Sequence, residues 1–283
     1  MRWETERRSD NVEDRRSVGF SGKVAGGGIG TVILVLVALY FGVDPSVLTQ
    51  SGLIGGNPGQ SQQQTQRTPS AEENKKADFV SAVLADTEDT WGAIFKEKGG
   101  QYQDPKLVLF SGMVESACGT TSAAVGPFYC PGDRKVYIDL DFYKDLKDKL
   151  GAPGDFAQAY VIAHEIGHHV QNLLGISAQV QKLRARLSAT EYNKYQVKLE
   201  LQADCFAGIW ANHATRARHI IEPGDIESAL NAAAMIGDDR LQKRARGYVT
   251  PDSFTHGTSA QRVAWFKSGY EHGDFENCDT FKQ

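Results

Sequence analysis

The run Ala163-His164-Glu165-Ile166-Gly167-His168-His169-Val170 limits what this chain can fold into more than any other stretch. On an α-helix, positions four apart lie about 40° apart around the axis, so His164 and His168 can present imidazole nitrogens to one point. Glu165 is turned about 100° from His164, which lets it reach a water beside a metal ion rather than the ion itself. The pattern implies a helix, a divalent metal and metal-assisted hydrolysis. The competing explanation is a polar stripe on a buried helix, and the rest of the chain decides between them.

The flanking residues support the helix. Asp155 reads as an N-cap with Gln158 three residues on, and Gly175 follows Leu174 as a stop. Between them Phe156, Tyr160, Val161, Ile162, Ile166, Val170, Leu173 and Leu174 leave little surface for solvent. Burying imidazole nitrogens without partners costs about 1–3 kcal/mol per group, a cost that metal ligation removes. His169 lies about 140° round from His164, off the metal face, and reads as a support for the ligands or a structural residue.

Catalytic zinc takes three protein ligands and keeps one position for water, so a third ligand is sought downstream. Glu200 is the best candidate. Ser188 and Glu191 read as a capping box that opens a long helix through Glu200 toward Ala214, and Asp204 lies one turn further on the same face. Asp204 would accept the second ring N–H of a ligand histidine and fix its tautomer. Two acids four apart are usually a solvated face, but Leu199, Leu201, Ala203, Phe206, Ala207, Ile209 and Trp210 surround these with apolar side chains.

These segments, with Ala117-Cys118-Gly119, Gly126-Pro127-Phe128-Tyr129-Cys130-Pro131 and the run from His256 to Arg262, resemble the putative neutral zinc metallopeptidase family of bacterial membrane-anchored proteins. The likeness covers nearly the whole chain. It implies a zincin-like fold, one zinc ion per chain held by His164, His168 and Glu200, Glu165 as general base, and a peptide or protein substrate. It says little about which substrate.

From Val24 to Val43 about twenty residues carry no charge, enough to span a bilayer as one helix, although five glycines weaken it. Arg2, Arg7, Arg8, Arg15, Arg16 and Lys23 precede it, and no Lys or Arg follows before Gln66. The positive-inside rule then places the N-terminus in the cytoplasm and the remainder outside, in the periplasm or its equivalent. A cleaved signal peptide is the alternative, but the leading polar region is long and no Ala-x-Ala site follows. The expected division is a cytoplasmic tail over 1–23, an uncleaved anchor over 24–43, a flexible Gln, Ser, Gly and Pro-rich tether over 44–75 with a reach of roughly 30 Å, and one metallopeptidase domain over 76–283.

The net charge of -4 gives no basic footprint for nucleic acid. The four cysteines suit an oxidising compartment. Cys118 and Cys130 flank a Gly and Thr-rich loop that could close locally, leaving Cys205 and Cys278 among three possible connectivities; four reduced thiols are the alternative. Cys205 as a softer zinc ligand would put a thiolate where the resemblance expects none.

Coarsely, the domain reads as helix-dominated α+β with a small sheet: helices over 78–98, 141–150, 155–174, 188–214, 226–246 and 259–271, and strands over 106–110 and 136–140. Val136-Tyr137-Ile138-Asp139 is the candidate sheet edge beside the cleft, on which substrate backbone could add as a strand. His256 or Arg262 could donate to the developing oxyanion, with Tyr248 a weaker candidate. His213, His219 and His272 are assigned to surface or structural roles. One rival is a membrane-anchored zinc-binding scaffold without catalysis, which would have no use for Glu165. An intramembrane protease is excluded, because Asp155, Gln158, Gln171 and Asn172 make the motif helix too polar to span. Oligomeric state is left open by the sequence.

Overall fold

The computed structural model describes residues 1–17, 68–122 and 126–282. In chain order the elements are β1 (Val12–Asp14), α1 (Ala71–Glu97), β2 (Lys106–Phe110), β3 (Met113–Ser116), β4 (Gly119–Ser122), β5 (Phe128–Cys130), β6 (Lys135–Asp139), α2 (Asp141–Asp148), α3 (Asp155–Leu173), α4 (Ile176–Leu183), α5 (Ala189–His213), α6 (Asp225–Met235), α7 (Asp238–Arg246) and α8 (Ser259–His272). The helix-dominated α+β class with a small sheet is as expected. Of the expected tail (1–23), anchor (24–43) and tether (44–75), residues 18–67 lie outside the described residues, while 71–75 open α1; among those described no helix is long and apolar enough to cross a membrane.

Helix α3 is the centre of the core. Its Phe156, Ala157, Ala159, Tyr160, Ile162, Ile166 and Val170 are all buried, and it packs against α1, α5 and α6. Asp155 is its first residue rather than its N-cap. Gly154 takes that place with φ 109°, a conformation that disfavours a side chain. The stop at Gly175 (φ 74°) and the Ser188–Glu191 capping box of α5 are as read from the sequence.

Helices α5 and α8 pack most extensively of all, and they approach so closely that a Cβ on Gly269 would run into the Cys205 carbonyl. The helix expected over 226–246 is broken at Gly237, where a Cβ would strike the backbone of Ser259. The break frees the first residue of α7, Asp238, to accept the backbone N–H groups of Thr255, His256 and Gly257.

The four-stranded sheet runs in the order β1-β2-β6-β5, with β1, β2 and β6 parallel and β5 antiparallel to β6. The candidate edge Val136–Asp139 is therefore wrong: it is β6, an interior strand paired on both sides. The edge belongs to β5, too short and too close to Pro127 and Pro131 to announce itself as a strand. Strands β3 and β4 form a separate hairpin.

Residues 1–17, assigned from the sequence to a separate tail, contribute β1 and a buried Trp3 to the domain. Met1–Val18 and Thr68–Gln283 form one compact unit. Several arginines of this segment are partners of domain acids and carbonyls, Arg7 of Glu88 and Asp89, Arg8 of Asp78, Arg16 of the Glu73 carbonyl.

Candidate metal centre

Two helices build the centre. From α3 come His164, Glu165 and His168; from α5 come Glu200 and Asp204. The helices meet at Gly167, where an added Cβ would lie 2.9 Å from the Ala203 carbonyl oxygen. Only this side-chain-free contact lets the two faces share one ion site. His164 Nε2 lies 3.1 Å and His168 Nε2 3.4 Å from the Glu200 carboxylate, and the three donor atoms fall within 4.8 Å of one another. Two imidazoles and a carboxylate so arranged suit zinc, with room for a further ligand.

The outer nitrogens of both rings are occupied, which fixes the tautomers. His164 Nδ1 donates to Asp204 Oδ1 at 2.9 Å, the role expected for Asp204. Asp204 is fully buried and also accepts from Tyr160 Oη at 2.5 Å and from both sides of the Arg262 guanidinium at 2.8 and 2.9 Å. His168 Nδ1 donates to Gln171 Oε1 at 2.9 Å. The Gln171 amide is oriented by its own donation to the Leu199 carbonyl at 2.7 Å, next to Glu200 in sequence. Both Nε2 lone pairs therefore face the Glu200 side.

Sequence reasoning did not single out Gln171 or Tyr160. Their signal was present, as polar groups one turn or so from the histidines on an otherwise apolar helix.

The electrostatics favour a cation. Burial opposes charge on the rings, yet Asp204 and Glu200 outweigh it and raise His164 to about 10, and Glu200 raises His168 in the same direction. Glu200 is held well below the usual carboxylate range despite burial, by both imidazoles. In such a site a metal takes the place of the shared protons.

His169 faces away from the ion site, as its angle required. Its Nε2 donates to the Gln103 carbonyl at 2.6 Å, so Nδ1 accepts from Tyr129 Oη at 3.0 Å. Asn172 also donates to that hydroxyl at 3.0 Å. Tyr129 sits in β5, so helix α3 holds the sheet edge by hydrogen bonds.

A cleft of about 1040 Å³ opens over the centre, lined on one side by Phe128 and Tyr129 of β5 and on another by His256. His256 Nδ1 faces Asp238 Oδ1 at 3.3 Å and Thr255 Oγ1 at 3.0 Å, and the Asp238 bond raises its pKa. Arg262 borders the cleft but is 2 % exposed, with its guanidinium bound to Asp204 and Tyr160. Tyr248, 61 % exposed and beside Arg246, lies outside the cleft lining. His213 and His272 bond backbone carbonyls, as structural residues do.

The disulfides are Cys118–Cys130 and Cys205–Cys278, which excludes Cys205 as a ligand. The first ties the β4 turn to the edge strand, and the second ties the C-terminal tail to α5 beside Asp204.

The chain is 53 % identical to the Escherichia coli (strain K12) protein YpfJ over 290 residues, covering 99 % of each. It is 44 % identical to Rv2575 of Mycobacterium tuberculosis (strain ATCC 25618 / H37Rv) over 213 residues, 72 % of this chain and 71 % of that relative. Both relatives are described as uncharacterized. No solved structure was found to match. The family model described as "Putative neutral zinc metallopeptidase" matches residues 1–281, and with the ligand cage already in view the conclusion is direct: this chain belongs to that family.

Proposed function

We propose that this protein is a zinc-dependent peptidase that hydrolyses peptide bonds in the cleft above His164, His168 and Glu200. The observation that carries the reading is the convergence of those three donors within 4.8 Å in a cleft that Glu165 also lines. A zinc ion held by His164, His168 and Glu200 would lower the pKa of a water toward about 7 and would polarise a carbonyl.

The chain's own residues account for the remaining chemistry. Glu165 takes a proton as water oxygen attacks the scissile carbonyl carbon, and returns it to the amine nitrogen as the C–N bond breaks. Asp204 and Gln171 hold the imidazoles in the ligating tautomer. His256, charged more readily beside Asp238, donates to the oxyanion. An extended substrate pairs its backbone with β5, the strand edge in the cleft, and the side chains of Phe128 and Tyr129 line its path.

The disulfides fit an extracytoplasmic site of action.

Glu165→Gln is the deciding experiment. The variant is expected to bind zinc in the same stoichiometry by elemental analysis and to lose on the order of 10²–10⁴-fold in kcat on a peptide library. A non-catalytic zinc scaffold would show no chelator-sensitive cleavage in the unaltered protein, and that result would sink the proposal.

A further inference from the structure

The N-terminal segment is woven into the domain too deeply to be a tail. Strand β1 pairs in parallel with β2 in the register Val12–Leu107, Glu13–Val108 and Asp14–Leu109. Backbone bonds continue that ladder on either side, from Leu107 N–H to the Asn11 carbonyl at 2.9 Å and from Arg15 N–H to the Leu109 carbonyl at 2.8 Å. Trp3 is 4 % exposed, sits edge-on to Phe79 at 5.4 Å, and donates from Nε1 to Asp155 Oδ2 at 3.3 Å. Asp155 opens α3, so this tryptophan touches the same helix that carries the metal ligands.

The polar groups are committed as well. Glu88 is 7 % exposed and accepts from Arg7, from Ser9 Oγ and from Asn11 Nδ2, three donors of the segment on one buried carboxylate. Arg8 grips Asp78 through Nε and Nη2 at 2.6 and 2.8 Å. Removing the segment would strand Glu88 without partners, unpair the outer face of β2 and expose the pocket of Trp3, each a cost of kcal/mol size. None of these contacts can form across a bilayer.

From this we infer that residues 1–17 and the metal cleft lie on the same side of the membrane. A chain that leaves a body and returns to it crosses a bilayer an even number of times. The sequence between the two parts supplies apolar length for one crossing, in Val24 to Val43, and for no second one. The single-pass arrangement, with an N-terminus in the cytoplasm and the domain outside, does not meet this count. Four of the residues that the positive-inside rule counts, Arg7, Arg8, Arg15 and Arg16, are folded against carboxylates instead of flanking the apolar run as free charge.

The test is site-directed labelling of the full-length protein in spheroplast membranes. Glu4→Cys places a thiol on the exposed part of the segment, and Lys182→Cys places one on α4 beside the cleft. All four native cysteines are in disulfides, so the added thiol is the reactive one. A membrane-impermeant maleimide is applied before and after permeabilisation. Both variants are expected to label under the same condition, to within about twofold in extent. Labelling of one before permeabilisation and of the other only after it would overturn the inference. Labelling of both only after permeabilisation would keep the two parts together while moving the site of action inside, so it separates this inference from the extracytoplasmic placement.

Discussion

His169 shows how a residue can serve the site while facing away from it. The ring is 1 % exposed and neutral in the fold, because burial lowers its pKa to about 4, against 6.5 for an exposed histidine. Its hydrogen bonds require the neutral tautomer, with Nδ1 accepting from Tyr129. The sign of the pH effect follows. Above pH 6.5 folded and unfolded rings are both neutral and the stabilisation is complete; as pH falls from 6.5 through about 4 the unfolded chain binds the extra proton and stability is lost. At about 1.4 kcal/mol per pKa unit the full loss is roughly 3 kcal/mol. Melting temperatures measured in chelator between pH 7 and pH 4 should therefore fall more steeply for the unaltered protein than for His169→Gln. Parallel curves would show that His169 is not the buried neutral group described.

At the level of elements, the site is made by one contact between two helices. Gly167 against Ala203 sets the spacing of α3 and α5 and with it the distance from both imidazoles to Glu200. A methyl group at Gly167 forces the helices apart, and overpacking of this kind costs about 1–3 kcal/mol. Gly167→Ala is expected to lower zinc affinity, read by competition with a chromogenic chelator, more than it lowers helix content by circular dichroism; unchanged affinity would contradict the role given to the contact. The same scale explains what could be read from the chain. Helices α3 and α5 carried local signals, an apolar period with a Ser188–Glu191 box or a Gly175 stop, so His164, His168, Glu200 and Asp204 could be placed before any coordinates. Strand β5 has three residues between prolines and pairs with its neighbour β6, so what hid it is its brevity and composition; β1 has three residues among charges, and its partner β2 is far off in sequence, which no local rule reports. The break of the 226–246 helix at Gly237 was equally hidden, since its cause is Ser259, more than twenty residues away.

For the whole molecule, the two disulfides differ in what they close. Cys118–Cys130 spans 12 residues of sequence and Cys205–Cys278 spans 73. Loop-closure entropy alone assigns about 3 kcal/mol to the first and about 4 kcal/mol to the second. The second also secures a tail whose groups reach the metal helix pair: the Cys278 carbonyl accepts from Gln202, Gln202 accepts from Gln171, and Thr280 Oγ1 donates to the Lys198 carbonyl. Loss of that bridge should therefore act on the ion site as well as on stability. The paired replacement Cys205→Ala with Cys278→Ala is expected to lower the melting temperature by roughly 10 °C, at about 2–4 °C per kcal/mol for a domain of this size, and to weaken zinc binding in the same preparation. Replacement of Cys118 and Cys130 should give a smaller thermal shift and leave zinc affinity unchanged, since that bridge holds the substrate edge rather than the ligands. Scanning calorimetry with zinc titration on both double variants checks the contrast. Equal losses of zinc affinity would mean that the tail does not brace the centre.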